Sequence, residues 1–151
     1  MVRPRVVLAR QERHIRPAWP PIRRVLQQIL LDHERGETLS VALVDDATIT
    51  RLHDEYLGEP TPTDVISFPL LSDEDGPPSP ERVLGEVVVS AETAHREAKK
   101  RGLEPERELA LYAIHGTLHL VGFDDLEPRA KRRMRRAEKK YLALYDEAVG
   151  R

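Results

Sequence analysis

No cysteine occurs among the 151 residues of this chain, so a disulfide framework and a cysteine-ligated zinc site are both excluded. Any transition-metal site must therefore use histidine, aspartate or glutamate. Aromatic residues are also scarce, with two Phe, four Tyr and one Trp, which argues against a surface that stacks bases on aromatic rings. The apolar run near the N-terminus is too short for a signal-peptide core or a membrane span. We therefore expect a cytoplasmic protein with no membrane partner, and the lack of cysteine is consistent with that compartment.

The length fits one domain over residues 1–151, and a net charge of -2 gives no sign of a nucleic-acid partner from the chain as a whole. Hydrophobic patterning, caps and breakers predict alternating strands and helices. The predicted strands are 5–9, 39–44, 65–68 and 83–89, and the helices run from the prolines at 17–21 to about 35, and over about 45–57, 90–101, 105–121 and 128–149. An acidic stretch at 72–81, with three prolines, is predicted to be a surface loop. This order predicts an α/β or α+β domain with a mixed sheet of about four strands and about five helices.

The residues suited to chemistry are concentrated at 114–125, IHGTLHLVGFDD. His115 and His119 are four apart on a predicted helix, which places both imidazoles on one face, one turn apart. Gly122 lets the chain leave the helix sharply, because glycine tolerates positive φ. Asp125 can then return toward the histidines as a third ligand. Three protein ligands with a fourth position for water are the arrangement of a catalytic zinc site, so we predict one zinc ion held by these three side chains.

This segment has two other interpretations. A histidine pair at this spacing is more often a packing feature, but the glycine turn and the acid at the right offset favour metal binding. The spacing H-x3-H-x2-G-x2-D also matches the ligand pattern of metzincin zinc proteases, with aspartate in place of the third histidine. Such proteases need glutamate directly after the first histidine as general base, and here that residue is Gly116. The sequence therefore argues against a peptidase.

The same segment resembles the hallmark of the YbeY-type endoribonucleases, also called rRNA maturation factors, H-G-x-L-H-L-x-G-[YF]-D-H. Residues 115–125 read HGTLHLVGFDD. Residues 62–69, PTDVISFP, resemble the family's P-T-D-V-L-S-F-P, and residues 84–90, LGEVVVS, resemble its L-G-D-I-x-I-S. Met134 and Glu138 fit its M-x3-E. The resemblance extends over about residues 39 to 145.

The resemblance implies a zinc-dependent endoribonuclease specific for single-stranded RNA, with the metal in a cleft beside the sheet. It further implies a role in maturation of the 3′ end of small-subunit (16S) rRNA and in ribosome quality control, with the small ribosomal subunit as partner. Glu86 and Asp124 are the candidates for general base. Asp124 could alternatively orient a histidine or replace Asp125 as ligand.

Two positions depart from the family pattern. Asp125 stands where the family usually has histidine; a carboxylate is still a good zinc ligand, but its charge makes the bound water less acidic. Leu57 stands where the family has an arginine suited to binding the cleaved phosphate, and nothing in the sequence places Arg51 as its replacement. The second departure leaves open a ribosome-assembly factor that binds RNA and keeps its metal mainly for structure.

The last predicted helix is strongly basic in its first half. Its apolar positions recur at spacings of three and four, which predicts a buried stripe, while the rest of the surface is cationic. A solvated helix face and a phosphate-binding surface both fit this composition, and the family resemblance favours the second. The residues predicted to contact RNA are Arg132, Arg133, Arg135, Arg136 and Lys139.

Overall fold

The computed structural model describes residues 3–12, 16–71 and 76–150. In chain order its elements are β1 (Val6–Arg10), α1 (Trp19–Asp32), β2 (Thr38–Val44), α2 (Asp46–Leu57), β3 (Val65–Pro69), β4 (Val83–Ser90), α3 (Ala91–Arg101), α4 (Pro105–Leu120) and α5 (Pro128–Ala148). The sheet order is β1-β2-β4-β3; β1, β2 and β4 are parallel, and β3 lies antiparallel to β4 at the edge. The predicted mixed sheet of four strands with five helices is confirmed.

The central strands are buried on both faces, which is why they read as continuous apolar runs. On β4, Val87 and Val89 belong to the larger core, which is formed with α1, α4 and α5. Val88 lies on the opposite face, in a smaller cluster with Ile49 of α2. Neighbouring residues of a strand point to opposite faces, so each side chain of β4 is assigned to one of the two cores by its position.

The sequence predicts Asp45 or Asp46 as the cap of α2 and Ser90 as the cap of α3, and the structure has Asp45 and Ser90 at these positions. The carboxylate of Asp45 accepts the backbone N–H of Thr48 at 2.8 Å, and the Ser90 hydroxyl accepts the N–H of Thr93 at 3.1 Å. Gly58 ends α2 and Gly102 ends α3, both in the left-handed conformation. Local sequence signals therefore fix the ends of these helices.

The predicted end of α1 was wrong. The helix ends at Asp32 instead of near residue 35, and Gly36 lies beyond its end. Glu34 adopts a left-handed conformation with φ 56°, and the N–H of Arg35 reaches back to the carbonyl of Leu30 at 2.8 Å. This closing turn satisfies the free carbonyl without a glycine. The predicted end near residue 35 assumed that Gly36 stops the helix, and that assumption placed the end too late.

Asp46 links the start of α2 to α3. Its carboxylate accepts hydrogen bonds from Ser90 at 2.6 Å, Thr93 at 2.8 Å and Arg96 at 2.9 Å. Burial alone raises the pKa of this carboxyl, but the three donors outweigh burial and the net pKa is lowered. The ionised carboxylate of Asp46 therefore connects the start of α2 to α3, which are distant in sequence.

The helix α4 packs unusually close to the sheet. A Cβ atom at Gly116 would lie 2.6 Å from Cγ1 of Val87 and 3.0 Å from Oγ of Ser67. At Gly85 of β4, a Cβ atom would lie 2.6 Å from the carbonyl oxygen of Phe68. The absence of side chains at both positions lets the helix settle onto β3 and β4, which fixes the position of its C-terminal turns.

The remaining predictions concern the surface. No helix in the described part of the chain is long and apolar enough to cross a membrane. Residues 72–75 of the predicted acidic loop lie outside the described residues, and residues 76–81 form turns between β3 and β4.

Candidate metal centre

The two histidines of α4 face each other across one helical turn. Their Nε2 atoms are 3.1 Å apart, and the rings meet edge to face with centroids 4.6 Å apart. Both side chains are partly exposed, at 25% for His115 and 31% for His119. The predicted spacing therefore produces two imidazole nitrogens that point to one accessible position.

The turn after α4 brings a carboxylate to the same position. Gly122 has φ 110°, and the N–H of Phe123 reaches back to the carbonyl of Leu118 at 3.0 Å. Asp125 Oδ2 then lies 3.6 Å from Nε2 of His115 and 3.7 Å from Nε2 of His119. The residues predicted from spacing as ligands are therefore close together in the fold.

The donor set fits a zinc ion. Zinc holds nitrogen and oxygen ligands at about 2.0 to 2.2 Å, and tetrahedral geometry then separates the ligand atoms by roughly 3.3 to 3.6 Å. The three separations here, 3.1, 3.6 and 3.7 Å, lie close to that range. Among the described residues, this is the one group of three histidine or acidic side chains close enough to share a metal ion.

Glu138 of α5 orients one of the histidines. Nδ1–H of His115 donates to Oε2 of Glu138 at 3.1 Å, which leaves Nε2 free to face His119 and Asp125. Burial lowers the pKa of His115, but the hydrogen bond and the charge of Glu138 outweigh it, and the net pKa is raised. This carboxylate–histidine pairing is typical of metal sites, where it fixes the tautomer and the ring orientation. Sequence reasoning noted Glu138 as part of a family motif but did not assign this contact.

We expect Glu138→Ala to weaken zinc binding about 10- to 100-fold, because the ring of His115 loses the partner that fixes its tautomer. Glu138→Gln should weaken binding less, since the amide oxygen still accepts from Nδ1–H. Competition with a zinc-binding indicator measures both. Glu147→Ala removes an exposed acid from the same helix and serves as control. Equal zinc affinity in all three variants would contradict the orienting role.

The structure does not bring Glu86 to the histidines. Its carboxylate accepts from the Ser40 hydroxyl at 3.1 Å and lies 3.7 Å from Arg10. Glu86 precedes Val87 on β4 and therefore points away from α4, to the face of the sheet that carries α2. We assign it no role in catalysis.

Asp124 lies next to the ligands but points elsewhere. Its Oδ1 accepts the backbone N–H of Leu126 at 3.3 Å, and the residue is exposed. The carboxylate thus shapes the turn that presents Asp125. The described contacts favour Asp125 over Asp124 as the third ligand.

Two cavities flank the histidine pair. One of about 590 Å³ lies toward α3, and one of about 410 Å³ lies toward α2. Both include His115 and the segment from Thr63 to Val65 in their walls, so Asp64 stands between them beside His115. Sequence reasoning did not single out Asp64. Together the cavities form a cleft, with the candidate metal position at its middle.

The cavity toward α2 contains the position of the missing arginine. Leu57 lines it with 57% of its surface exposed, next to Tyr56. Arg51 lies earlier on α2 and is not part of the wall of either cavity. The departure at Leu57 therefore lies in the cleft itself, and Arg51 does not replace the missing charge there.

The five basic residues predicted to contact RNA do not share one face of α5. Arg132, Arg136 and Lys139 are exposed at spacings of four and three, which places them side by side. Arg135 lines a small cavity at the metal centre, whereas the guanidinium of Arg133 lies over the ring of Phe123 at 5.7 Å. The basic surface therefore begins at the metal centre and excludes Arg133.

Comparisons with known proteins identify the family of this chain. The family model described as "Endoribonuclease YbeY" matches residues 10–146. Curated relatives named "Endoribonuclease YbeY" include one from Protochlamydia amoebophila, 39% identical over 80% of this chain and 77% of its own length, and one from Carboxydothermus hydrogenoformans, 41% identical over 81% and 82%. The solution structure of TM1509 from Thermotoga maritima is similar with a TM-score of 0.69 and 26% identity, over 97% of this chain and 91% of that one. The resemblance predicted from residues 62–69, 84–90 and 115–125 is thus confirmed, and the chain belongs to the YbeY endoribonuclease family.

Proposed function

We propose that this protein is a zinc-dependent endoribonuclease that cleaves single-stranded RNA, acting in the cytoplasm. The observation that carries the proposal is the cluster of His115, His119 and Asp125 in the middle of a cleft, beside the basic surface of α5. Family membership supports RNA as the substrate, since the curated relatives are named endoribonucleases.

The three ligands would hold the zinc, and Glu138 would keep His115 in the tautomer that binds it. When bound, zinc supplies a positive charge that polarises a phosphoryl oxygen or makes a water more acidic. Hydrolysis joins the water oxygen to phosphorus, breaks the bond from phosphorus to one ribose oxygen and returns a proton to that leaving oxygen. The residues of this chain position the RNA so that one phosphate lies at the ligands.

The shape of the cleft favours single-stranded RNA. Bases of a single strand can turn out of the stack and enter pockets, whereas those of a duplex remain paired. Cavities of about 590 and 410 Å³ on the two sides of the histidines are in the usual size range of small-molecule sites. The nucleotides that flank the cleaved bond would occupy them, and Arg132, Arg136 and Lys139 would bind the backbone further along.

We further propose that the RNA is small-subunit ribosomal RNA and that cleavage occurs in maturation of its 3′ end and in ribosome quality control. This part rests on the family resemblance. A strain without the protein should accumulate 16S rRNA with an unprocessed 3′ end, as mapped by sequencing of the RNA ends. Normal ends in that strain would contradict this role and leave the RNA-cleaving activity to be judged separately.

One observation favours a second function. With Leu57 at this position, the wall of the cavity toward α2 contains no lysine or arginine among the described residues. A protein that binds RNA and uses zinc for structure would need no phosphate-activating cation there. A peptidase is disfavoured, because Gly116 occupies the position at which such an enzyme requires a glutamate as general base.

A fluorescent RNA assay separates these functions. Zinc-loaded protein should cut a single-stranded 20-mer and leave the same sequence intact in a duplex. Removing the metal with a chelator should abolish cutting, and added zinc should restore it. Binding of the RNA without cutting would support the assembly factor. Digestion of casein in place of RNA would support the peptidase.

A further inference from the structure

A third cavity, of about 140 Å³, opens directly at the metal centre. His115 and Asp125 line it together with four residues of α5, which are Lys131, Met134, Arg135 and Glu138. The cavity is much smaller than the two that flank the histidines. Its size suits a phosphate group better than a base.

Helix periodicity places the two cations on the face of α5 that is directed at His115. Lys131 and Arg135 are four residues apart, and Glu138 follows three residues later, so all three share one face of α5. The contact between Glu138 and His115 fixes the direction in which that face points. The helix therefore directs both cations at the metal centre.

Among the described residues, neither cation forms an ion pair, although the carboxylates of Asp125 and Glu138 line the same cavity. Within the described ranges, no carboxylate lies within ion-pair distance of Lys131 or Arg135, and both residues are exposed. The cations of the cavity toward α3 differ in this respect. Arg96 pairs with Asp46 at 2.9 Å, and Arg101 lies 3.7 Å from Glu108. Lys131 and Arg135 thus keep their charges available for an anion.

We propose that Lys131 and Arg135 bind the non-bridging oxygens of the phosphodiester that is cleaved. This inference rests on the proposed function, and it identifies the part of the RNA that Lys131 and Arg135 contact. Arginine offers a fork of N–H donors that matches two phosphate oxygens, and lysine adds a compact charge. Charge that builds on those oxygens during attack is stabilised by cations already in place. Lys131 and Arg135 thus supply a positive charge that the arginine at the position of Leu57 supplies in the family.

Three double variants test the pair, and each removes two cations four residues apart on α5. K131A/R135A should lower kcat for single-stranded RNA about 100-fold, because losing one such donor costs roughly 10²- to 10³-fold in related sites. R132A/R136A should mainly raise KM, since those residues bind backbone away from the cleaved bond. R129A/R133A removes cations from the side that faces Phe123 and should change kcat and KM less than about threefold.

The comparison among variants decides the outcome. An equal loss of kcat in R132A/R136A or R129A/R133A would show that only the total charge of the helix matters and would overturn the proposal. A K131A/R135A variant that changes KM alone would overturn it too. Zinc content is measured in parallel and should be unchanged in all three variants.

A binding experiment tests the pair independently of cleavage. A dinucleotide analogue with methylene groups in place of both bridging oxygens keeps the two non-bridging oxygens and their charge but has no P–O bond that water can break, and it is titrated into ¹⁵N-labelled, zinc-loaded protein. The side-chain Nε–H signal of Arg135 should shift saturably while that of Arg136 stays in place, and K131A/R135A should weaken binding at least tenfold. No shift at Arg135 would refute the proposal. Saturable binding through Arg135 with no RNA cleavage by the unmodified protein would instead refute the proposed function alone.

Discussion

Replacing His119 by alanine is expected to abolish stable zinc binding and cleavage of single-stranded RNA. The side chain supplies one of three ligand atoms, with Nε2 3.1 Å from Nε2 of His115 and 3.7 Å from Oδ2 of Asp125. Loss of an outer hydrogen-bond partner already costs a zinc site roughly 10- to 100-fold in affinity, so loss of a ligand must cost more. With two ligands left, zinc should not stay bound during purification.

The measurement is zinc per chain by mass spectrometry, together with the RNA assay. The matched control is His95→Ala, which removes an exposed histidine from α3, outside the walls of the cavities at the metal centre. The control should keep one zinc per chain and full activity. Zinc retained at full occupancy in the His119 variant would show that the ion lies elsewhere.

Gly116→Glu, the change that would mimic the zinc proteases, is expected to destabilise the fold strongly rather than create a peptidase. A Cβ atom alone would lie 2.6 Å from Cγ1 of Val87 and 3.0 Å from Cγ2 of Val65. The carboxylate would also be buried between the helix and the sheet without a partner. We expect a loss of at least about 4 kcal/mol, a large part of the roughly 5 to 15 kcal/mol that stabilises a typical domain.

Thermal unfolding in the presence of chelator measures this loss without a contribution from zinc. Gly102→Ala provides the comparison, because a Cβ atom there meets nothing within 4 Å and only the left-handed backbone opposes it. That variant should lose about 1 to 2 kcal/mol and bind zinc normally. A Gly116→Glu protein as stable as Gly102→Ala would contradict the close packing of α4 on the sheet.

The close approach of the three candidate ligands could be predicted because they are local in sequence. His115 and His119 lie one helical turn apart, and a glycine turn separates them from Asp125, so helix periodicity and one backbone conformation fix their relative positions. The helix caps are local in the same sense. The sequence predicts Asp45 or Asp46 as the cap of α2 and Ser90 as the cap of α3, and the structure has Asp45 and Ser90 at these positions. The prediction of the end of α1 failed for a different reason. Glu34 adopts a left-handed conformation, which is expected of glycine rather than of glutamate.

The other residues of the site depend on tertiary packing. Glu86 lies on a strand that is buried on both faces, so alternation along β4 cannot tell which face α4 covers. The packing of α4 on Val87 settles this, and Glu86 points to the opposite side. The sequence places Glu138 and Arg135 on a basic helix but does not predict where they lie in the fold. The packing of α5 against α4 brings both residues to His115.

The most direct test of the metal centre is a crystal structure of the purified protein with an anomalous difference map recorded at the zinc absorption edge. We expect one zinc peak per chain within about 2.2 Å of Nε2 of His115, Nε2 of His119 and Oδ2 of Asp125. A zinc peak coordinated by Asp124, or one away from the two histidines, would contradict the assignment on which the proposed function rests.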